Sequence, residues 1–337
     1  MKSPVRLPRS NEFGMLLDIV SYARRGPGHG RALSSAERAQ IARTVDRVPE
    51  VMIKVSGGGS SVGAVVAHLR YIDRRGALEI ETDDGQRIQG EGVERAMLDD
   101  WRLPQQEKRD RSPYSGVPGR KGAKLVHNIV FSMPAGTPSD KLLAAVRQFA
   151  QQTFSDQHRY AMVMHTDQRH PHVHLVVKAV SELGVRLNIR RATLREWRHD
   201  FAATLREQGV PANATERAVR GESRGQKLDG IYRAMRRGAS THYEEQTLVV
   251  ARELREGSVR TEAGKSKLMA TRRSVQRAWR AVAGLLALEG DADLASQVRR
   301  FADAMLPALT EKEWVADQLI RHARRRAATD PPPVRAR

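Results

Sequence analysis

Residues 160–180, YAMVMHTDQRHPHVHLVVKAV, contain two apolar runs separated by a short polar connection. Each run has the length and the aliphatic content typical of a buried β-strand, which predicts strands over residues 160–165 and 172–180. Because the connection is too short for a crossover, we expect the two strands to be antiparallel neighbours in one sheet.

The histidines of this stretch predict a metal centre. His172 and His174 are two residues apart on a strand, so their imidazoles project from the same face of the sheet. His165 ends the neighbouring strand, close enough across the connection to supply a third ligand. Three neutral imidazoles leave coordination positions open, as a catalytic metal site requires. His170, which precedes Pro171 in the connection, is expected to be a solvated loop residue.

The sequence contains no cysteine, which excludes disulfides, thiolate metal sites and cysteine nucleophiles. A site built from imidazoles suits Mg²⁺, Mn²⁺ or Zn²⁺, and the residues do not select among these ions. We expect Mg²⁺ or Mn²⁺, with Zn²⁺ as an alternative.

Outward from this stretch, strand and helix patterns alternate from about residue 50 to residue 209. Strands are predicted over 51–55, 125–133 and 185–189, with a hairpin around Asp84-Gly85. Helices are predicted over 62–74, over 91–101 and over 193–208, the last with a Thr193/Glu196 capping box. A further helix is predicted to begin at Thr137-Pro138. Residues 102–122 are predicted to be a loop. The predicted fold class is α+β, with a mainly antiparallel central sheet flanked by helices and followed by a helical C-terminal region.

The same patterns divide the chain into four parts. Residues 1–48 are predicted to be a variable lead-in with a short helix over 35–45, and residues 49–221 the main domain. Residues 222–326 are predicted to be a basic helical region, with helices over 244–256, 265–288, 291–305 and 310–326. Residues 327–337, rich in arginine and proline, are predicted to be a disordered basic tail.

Charge and hydropathy restrict the partners. The formal net charge is +19, and arginine far outnumbers lysine, which points first to nucleic acid because the guanidinium group suits phosphate. An arginine-favouring genome would explain part of the arginine excess but not the shortage of acidic residues. No apolar run approaches the length of a membrane span, and the N-terminal residues lack the apolar segment of a secretory signal. The sequence therefore predicts a cytoplasmic protein without membrane insertion.

The metal centre needs a nucleophile, and residues 63–76, GAVVAHLRYIDRRG, offer one. Tyr71 is near the end of a predicted helix, beside Arg70, Arg74 and Arg75. Cationic neighbours favour the phenolate form, and arginine also binds phosphate. The alternative interpretation is an ordinary tyrosine that packs its ring at a helix end. Tyr22, also in a basic segment, is the other candidate nucleophile.

With these motifs, the segment from residue 50 to about residue 221 resembles the relaxases of conjugative and mobilisable elements. Within them it is similar to the histidine–hydrophobic–histidine endonucleases, which include the border-nicking enzymes of T-DNA transfer. The first matching motif is AHLRYIDRRG with Tyr71, and the second is HNIVFSMP at 127–134 with Ser132. The third motif has the form His-x-Asp-x4-His-x-His and is matched by His165, Asp167, His172 and His174.

The resemblance implies a site- and strand-specific DNA relaxase. Its metal would be held by the three histidines, and Tyr71 would attack the scissile phosphate of single-stranded DNA at a transfer origin, leaving a 5′-phosphotyrosyl link. Asp167 would orient a ligand imidazole or accept the tyrosine proton, and Ser132 would contact DNA phosphate or support the tyrosine. The DNA-binding residues would be Arg70, Arg74 and Arg75.

The resemblance also implies accessory relaxosome proteins, a type IV secretion coupling protein and export with DNA to a recipient cell. Three other functions stay open. One is a rolling-circle replication initiator or single-strand transposase of the same chemistry. The second is a non-catalytic, metal-stabilised nucleic-acid-binding protein, and the third is a zinc-dependent hydrolase. The basic helical C-terminal region and the similarity that continues beyond the third motif favour the relaxase.

Overall fold

A computed structural model describes residues 32–110, 122–155, 157–222, 241–257 and 260–329. These residues form two compact units, one of residues 42–214 and one of residues 32–41 with the described residues from 215 onwards. No described helix combines the length and the apolar character needed to cross a bilayer. The domain boundaries near residues 48, 221 and 326 stay predictions.

The first unit is built on a six-stranded sheet. Its strands are β1 (Met52–Gly57), β2 (Ile80–Thr82), β3 (Arg87–Ile88), β4 (Val126–Ser132), β5 (Tyr160–His165) and β6 (His172–Lys178). Their order is β1-β4-β6-β5-β2-β3, and every neighbouring pair is antiparallel. The predicted antiparallel α+β fold is confirmed, and the two strands of the opening stretch pair directly in the sheet.

Helices are associated with both faces of the sheet. The described helices that begin before residue 210 are α1 (Ser35–Val45), α2 (Val62–Ile72), α3 (Val93–Asp100), α4 (Leu103–Asp110), α5 (Ser139–Phe154) and α6 (Arg191–Glu207). One sheet face, which includes Phe131 and Leu175, packs on α5 and α6. The opposite face, which includes Val163 and Val176, packs on α2 and α3. The predicted ligands His172 and His174 have the same strand parity as Val176, so they share the α2 face.

The pattern of α2 decides which side chains are free for chemistry. Ser61 begins the helix and accepts a hydrogen bond from the Ala64 backbone N–H. Val65, Leu69 and Ile72 follow the helical period and are buried. Tyr71 therefore points away from the core.

The chain leaves α2 through a turn of unusual backbone geometry. Arg74 and Arg75 have φ angles of 57° and 60°, in the left-handed region that side chains with a Cβ disfavour. Gly76 follows with φ 82°, and a Cβ there would lie 2.5 Å from the Gly90 carbonyl carbon, so only glycine fits. Non-glycine residues held in this region cluster at functional sites.

Two predictions of local structure are wrong. Residues 103–110, expected to be part of a loop, form α4, because Leu103 and Gln106 are buried and the tertiary contacts outweigh the polar composition. The other predicted loop residues, 111–121, lie outside the described residues. The predicted strand over 185–189 is absent from the described structure, where this segment contributes only an isolated bridge between Val180 and Arg186.

The predicted capping residues also differ from those observed. α5 begins at Ser139 after Pro138, and the Thr137 hydroxyl donates to the Pro134 carbonyl instead of capping the helix. At the start of α6 the Thr193 hydroxyl accepts a hydrogen bond from the Arg190 backbone N–H at 3.4 Å, so Thr193 is not the first residue of a Thr193/Glu196 capping box.

The second unit contains α7 (Thr241–Arg255), α8 (Lys265–Leu288), α9 (Ala292–Asp303) and α10 (Glu311–Thr329), close to the predicted helices. Trp279 of α8 is buried, with its ring 5.2 Å from that of Phe301 of α9. The prediction of disorder is wrong for residues 327–329, because α10 continues through the helix-favouring Ala327 and Ala328. The rest of the predicted tail, residues 330–337, lies outside the described residues.

Candidate metal centre and active site

Strand pairing brings the three predicted ligands together. His165, at the end of β5, is the direct cross-strand partner of His172, at the start of β6, and His174 follows two residues later. One ring nitrogen of each lies within 4.8 Å of those of the other two. The ring centroids are 4.5 Å apart for His165 and His174, and 5.0 and 5.1 Å apart for the other two pairs. The three imidazoles can therefore bind one ion.

Backbone carbonyls fix the orientation of two of the three rings. Nε2 of His165 donates to the Ile72 carbonyl at 2.5 Å, and Nδ1 of His172 donates to the His170 carbonyl at 3.0 Å. A ring nitrogen that donates carries the proton, so His165 presents a lone pair on Nδ1 and His172 on Nε2. Metal-binding histidines are commonly held in this way by the nitrogen that does not bind the metal.

Burial keeps two of the ligands in the form that binds metal. Burial lowers the pKa of His165, and burial with the neighbouring imidazoles lowers the pKa of His174 to about 3. Both rings are thus neutral near pH 7, and a metal ligand must be unprotonated. Three imidazoles with two oriented lone pairs fit a divalent ion with open coordination positions.

Arg74 connects the histidine cluster with the candidate nucleophile. Tyr71 is 60% exposed, and the Arg74 guanidinium carbon lies 5.4 Å from the centre of its ring. Nη2 of Arg74 donates to Asp167 at 2.6 Å and lies 3.3 Å from Nδ1 of His165. One cation is thus shared by the tyrosine, the aspartate and a metal ligand.

Asp167 is placed in the site, but its carboxylate hydrogen-bonds to Arg74 rather than to a ligand imidazole. The bond from Arg74 holds the pKa of Asp167 below its ordinary value. A carboxylate with a lowered pKa is a weaker proton acceptor, which argues against the predicted role as a base for Tyr71. The geometry favours a role in positioning Arg74.

Ser132 is also in the site, where it contacts the connection between β5 and β6 just before His172. It is the cross-strand partner of His172 and only 5% exposed. Its hydroxyl donates to the Pro171 carbonyl at 3.2 Å. This contact holds the residue before His172, so the geometry favours support of the ligand over contact with DNA or with Tyr71.

The three predicted DNA-binding arginines differ in their contacts. Arg75 is exposed, and Arg74 faces the tyrosine and Asp167. Arg70 instead forms an ion pair at 2.5 Å with Glu94 of α3, whose side chain is only 1% exposed. Arg70 therefore holds α2 against α3, and the structure assigns it a structural contact.

We expect Arg70→Gln to destabilise the fold rather than weaken DNA binding. The variant leaves the buried Glu94 carboxylate without its cation, which costs about 1–3 kcal/mol of unfolding free energy. Urea denaturation measures the loss, and Arg75→Gln is the matched control, with the opposite pattern of weaker DNA binding and unchanged stability. Equal loss of DNA affinity in the two variants, with normal stability, would contradict this division of roles.

The site contains one residue to which the sequence patterns gave no role. His68 is three residues before Tyr71 on α2, and their rings are stacked with centroids 6.4 Å apart. The ring of His68 also lies 6.2 Å from that of His174. The signal was the spacing, because residues three apart on a helix are neighbours on its surface.

Comparison with known proteins gives a family match for the segment that contains most of this site. Residues 72–210 match the model of the MobA/VirD2-like relaxase nuclease domain. This segment includes His165, His172, His174, Asp167 and Ser132, and it begins one residue after Tyr71.

The chain is similar to curated proteins named T-DNA border endonuclease VirD2. It is 25% identical to the proteins of Rhizobium rhizogenes and Agrobacterium fabrum, over 52% of this chain and 42% and 41% of theirs. It is 26% identical to that of Rhizobium radiobacter, over 52% of this chain and 44% of that one. The similarity thus spans less than half the length of these relatives. No solved structure matches significantly. Residues 72–210, about two fifths of the chain, are thus similar to the nuclease domain of MobA/VirD2-like relaxases.

Proposed function

We propose that this protein is a relaxase that nicks single-stranded DNA at a transfer origin by metal-assisted transesterification. The observation that carries the proposal is the position of the exposed Tyr71 beside Arg74. Arg74 in turn contacts His165, one of three clustered histidines that can bind a metal ion. The family match supports DNA nicking, and the site geometry supports the choice of nucleophile.

In the proposed reaction, the Tyr71 hydroxyl oxygen attacks the scissile phosphorus. A bond forms between that oxygen and phosphorus, and the bond from phosphorus to the 3′-oxygen of the preceding nucleotide breaks. The phenol loses its proton to solvent, because Tyr71 is exposed, and the leaving 3′-oxygen takes up a proton. The products are a 5′-phosphotyrosyl link and a free 3′-OH, and reversal rejoins the strand without an external energy source.

His165, His172 and His174 would hold the metal. A divalent ion bound there supplies Lewis-acid polarisation of the scissile phosphate and neutralises charge in the transition state. Coordination through Nδ1 of His165 would use the lone pair that Arg74 faces at 3.3 Å, so the two contacts exclude each other. Asp167 keeps Arg74 beside the tyrosine, where its guanidinium can bind the scissile phosphate.

The proposal also includes binding partners, which are suggested by the names of the similar proteins. Proteins named for nicking T-DNA borders suggest that this chain acts on transferred DNA. It would act in the cytoplasm with accessory relaxosome proteins, and it would be recruited by a type IV secretion coupling protein and exported with the DNA.

A denaturing gel tests the chemistry directly. The probes are labelled single-stranded oligonucleotides that tile the DNA flanking the coding region, incubated with the full chain and Mg²⁺ or Mn²⁺. We expect a slowly migrating covalent adduct with at least one probe, absent when EDTA is added. A protein that binds these probes tightly but forms no adduct with any of them would be a non-catalytic binding protein, and cleavage without an adduct would indicate a hydrolase.

Binding of single-stranded DNA should be strongly salt-dependent, because each arginine–phosphate contact releases counterions. With about six contacts, the affinity is expected to fall about 100-fold or more between 50 and 200 mM salt. Fluorescence anisotropy with a labelled oligonucleotide measures this dependence. Arg75→Gln should reduce the slope of log affinity against log salt by about 0.7. A flat dependence would mean that the charge of +19 is not a DNA-binding feature.

A further inference from the structure

The three candidate ligands are not equally supported. His165 and His172 each donate their second ring nitrogen to a backbone carbonyl. Nδ1 of His174 is buried and has no hydrogen-bond partner among the described residues. A metal-binding imidazole almost always donates its other N–H to an acceptor, so the support of His174 is incomplete.

The neighbouring ring, that of His68, can supply the hydrogen-bond acceptor that His174 lacks. Nε2 of His68 is also buried and lacks a partner in the part of the chain that the structure describes. The His68 ring lies 6.2 Å from that of His174, at an interplanar angle of 69°. A neutral imidazole has one donor nitrogen and one acceptor nitrogen, so these two rings can satisfy each other.

Energetics favour such a pairing. A buried polar atom without a partner destabilises the fold, and one hydrogen-bonded connection would remove this cost for both nitrogens. The separation of the rings is larger than that of two directly bonded imidazoles and suits one bridging water. Buried waters typically occupy sites of this kind, where polar groups have no other partner.

We propose that His68 is a positioning residue that accepts, through one water or directly after a small movement, the hydrogen bond from Nδ1–H of His174. The Nε2 lone pair of His174 would then be held towards the metal. The inference rests on the proposed metal centre and adds to it a residue from the helix that carries the nucleophile.

If His68 has this role, α2 positions both the candidate nucleophile and two of the three candidate metal ligands. The Ile72 carbonyl holds His165, and His68 would hold His174, while Tyr71 lies between these two residues on the same helix. A shift of α2 would then move the nucleophile and two ligands together. Such shared support keeps a nucleophile and an electrophilic centre in register.

Two substitutions separate hydrogen bonding from packing. His68→Phe keeps a ring but has no acceptor, whereas His68→Gln keeps an acceptor without the ring. The measurement is the dissociation constant for Mn²⁺ by titration calorimetry of the full chain without DNA. His68→Phe should weaken Mn²⁺ binding about 10- to 100-fold. His68→Gln should stay close to wild type, as should the control His170→Gln, whose side chain is exposed.

The other possible outcomes contradict either the proposed role of His68 or the metal centre itself. Wild-type affinity in His68→Phe, or equal weakening in His68→Phe and His68→Gln, would overturn the hydrogen-bond role and leave His68 as a packing residue. If His68→Phe lowers the melting temperature of the metal-free protein, His68→Leu replaces it as the variant without an acceptor. A wild-type protein that binds none of Mn²⁺, Mg²⁺ and Zn²⁺ would instead remove the proposed metal centre, which distinguishes the two failures.

Discussion

Tyr71→Phe is expected to abolish the covalent protein–DNA adduct completely while leaving DNA affinity within about twofold of wild type. The substitution removes only the hydroxyl, which is the proposed nucleophile. The ring, the cation of Arg74 beside it and the histidine cluster stay in place. Adduct formation on denaturing gels and oligonucleotide binding by anisotropy measure the two properties in parallel.

The control for this experiment is Tyr243→Phe, which changes a tyrosine of α7 that packs near Trp314. It should form the adduct at the wild-type rate. If Tyr71→Phe still forms an adduct, the nucleophile is a different residue. Tyr22, which lies outside the described residues, would then be the next candidate.

His174→Ala is expected to remove metal binding and metal-dependent nicking together. Its ring is the closest neighbour of His165 and lies within the group of three ligand nitrogens. At a metal concentration of 100 times the dissociation constant, wild type gains about 2.7 kcal/mol of stability from the bound ion. The variant should lose this gain, which appears as a metal-induced rise in melting temperature in wild type only.

His170→Ala is the matched control, since His170 is exposed and only its backbone carbonyl contacts a ligand. It should keep both the metal-induced rise and the nicking activity. Equal damage from the substitutions at His170 and His174 would contradict the proposed ligand set.

The sequence predicted the ligand cluster because local rules were sufficient there. A period of two places His172 and His174 on one face, and a short connection returns the chain beside His165. The same rules predicted α2 and its buried face, because Val65, Leu69 and Ile72 follow the helical period.

These local rules could not predict contacts between segments that are far apart in the sequence. No local pattern indicates that Arg70 pairs with a buried glutamate of α3, or that the Ser132 hydroxyl bonds to Pro171. The link between Arg74 and Asp167 also depends on a left-handed turn that arginine rarely adopts. The spacing of His68 and Tyr71 indicates that they are neighbours on α2, but the proximity of His68 to His174 depends on packing between the helix and the sheet, which the helix pattern alone does not provide.

The most direct measurement is mass spectrometry of the covalent adduct after nuclease and trypsin digestion. Trypsin cleaves after Arg70 and Arg74, so the peptide of interest is residues 71–74, Tyr-Ile-Asp-Arg. We predict that this peptide carries the remaining nucleotide through a phosphate ester on the tyrosine. A nucleotide attached to any other peptide would contradict the assignment of Tyr71 as the nucleophile.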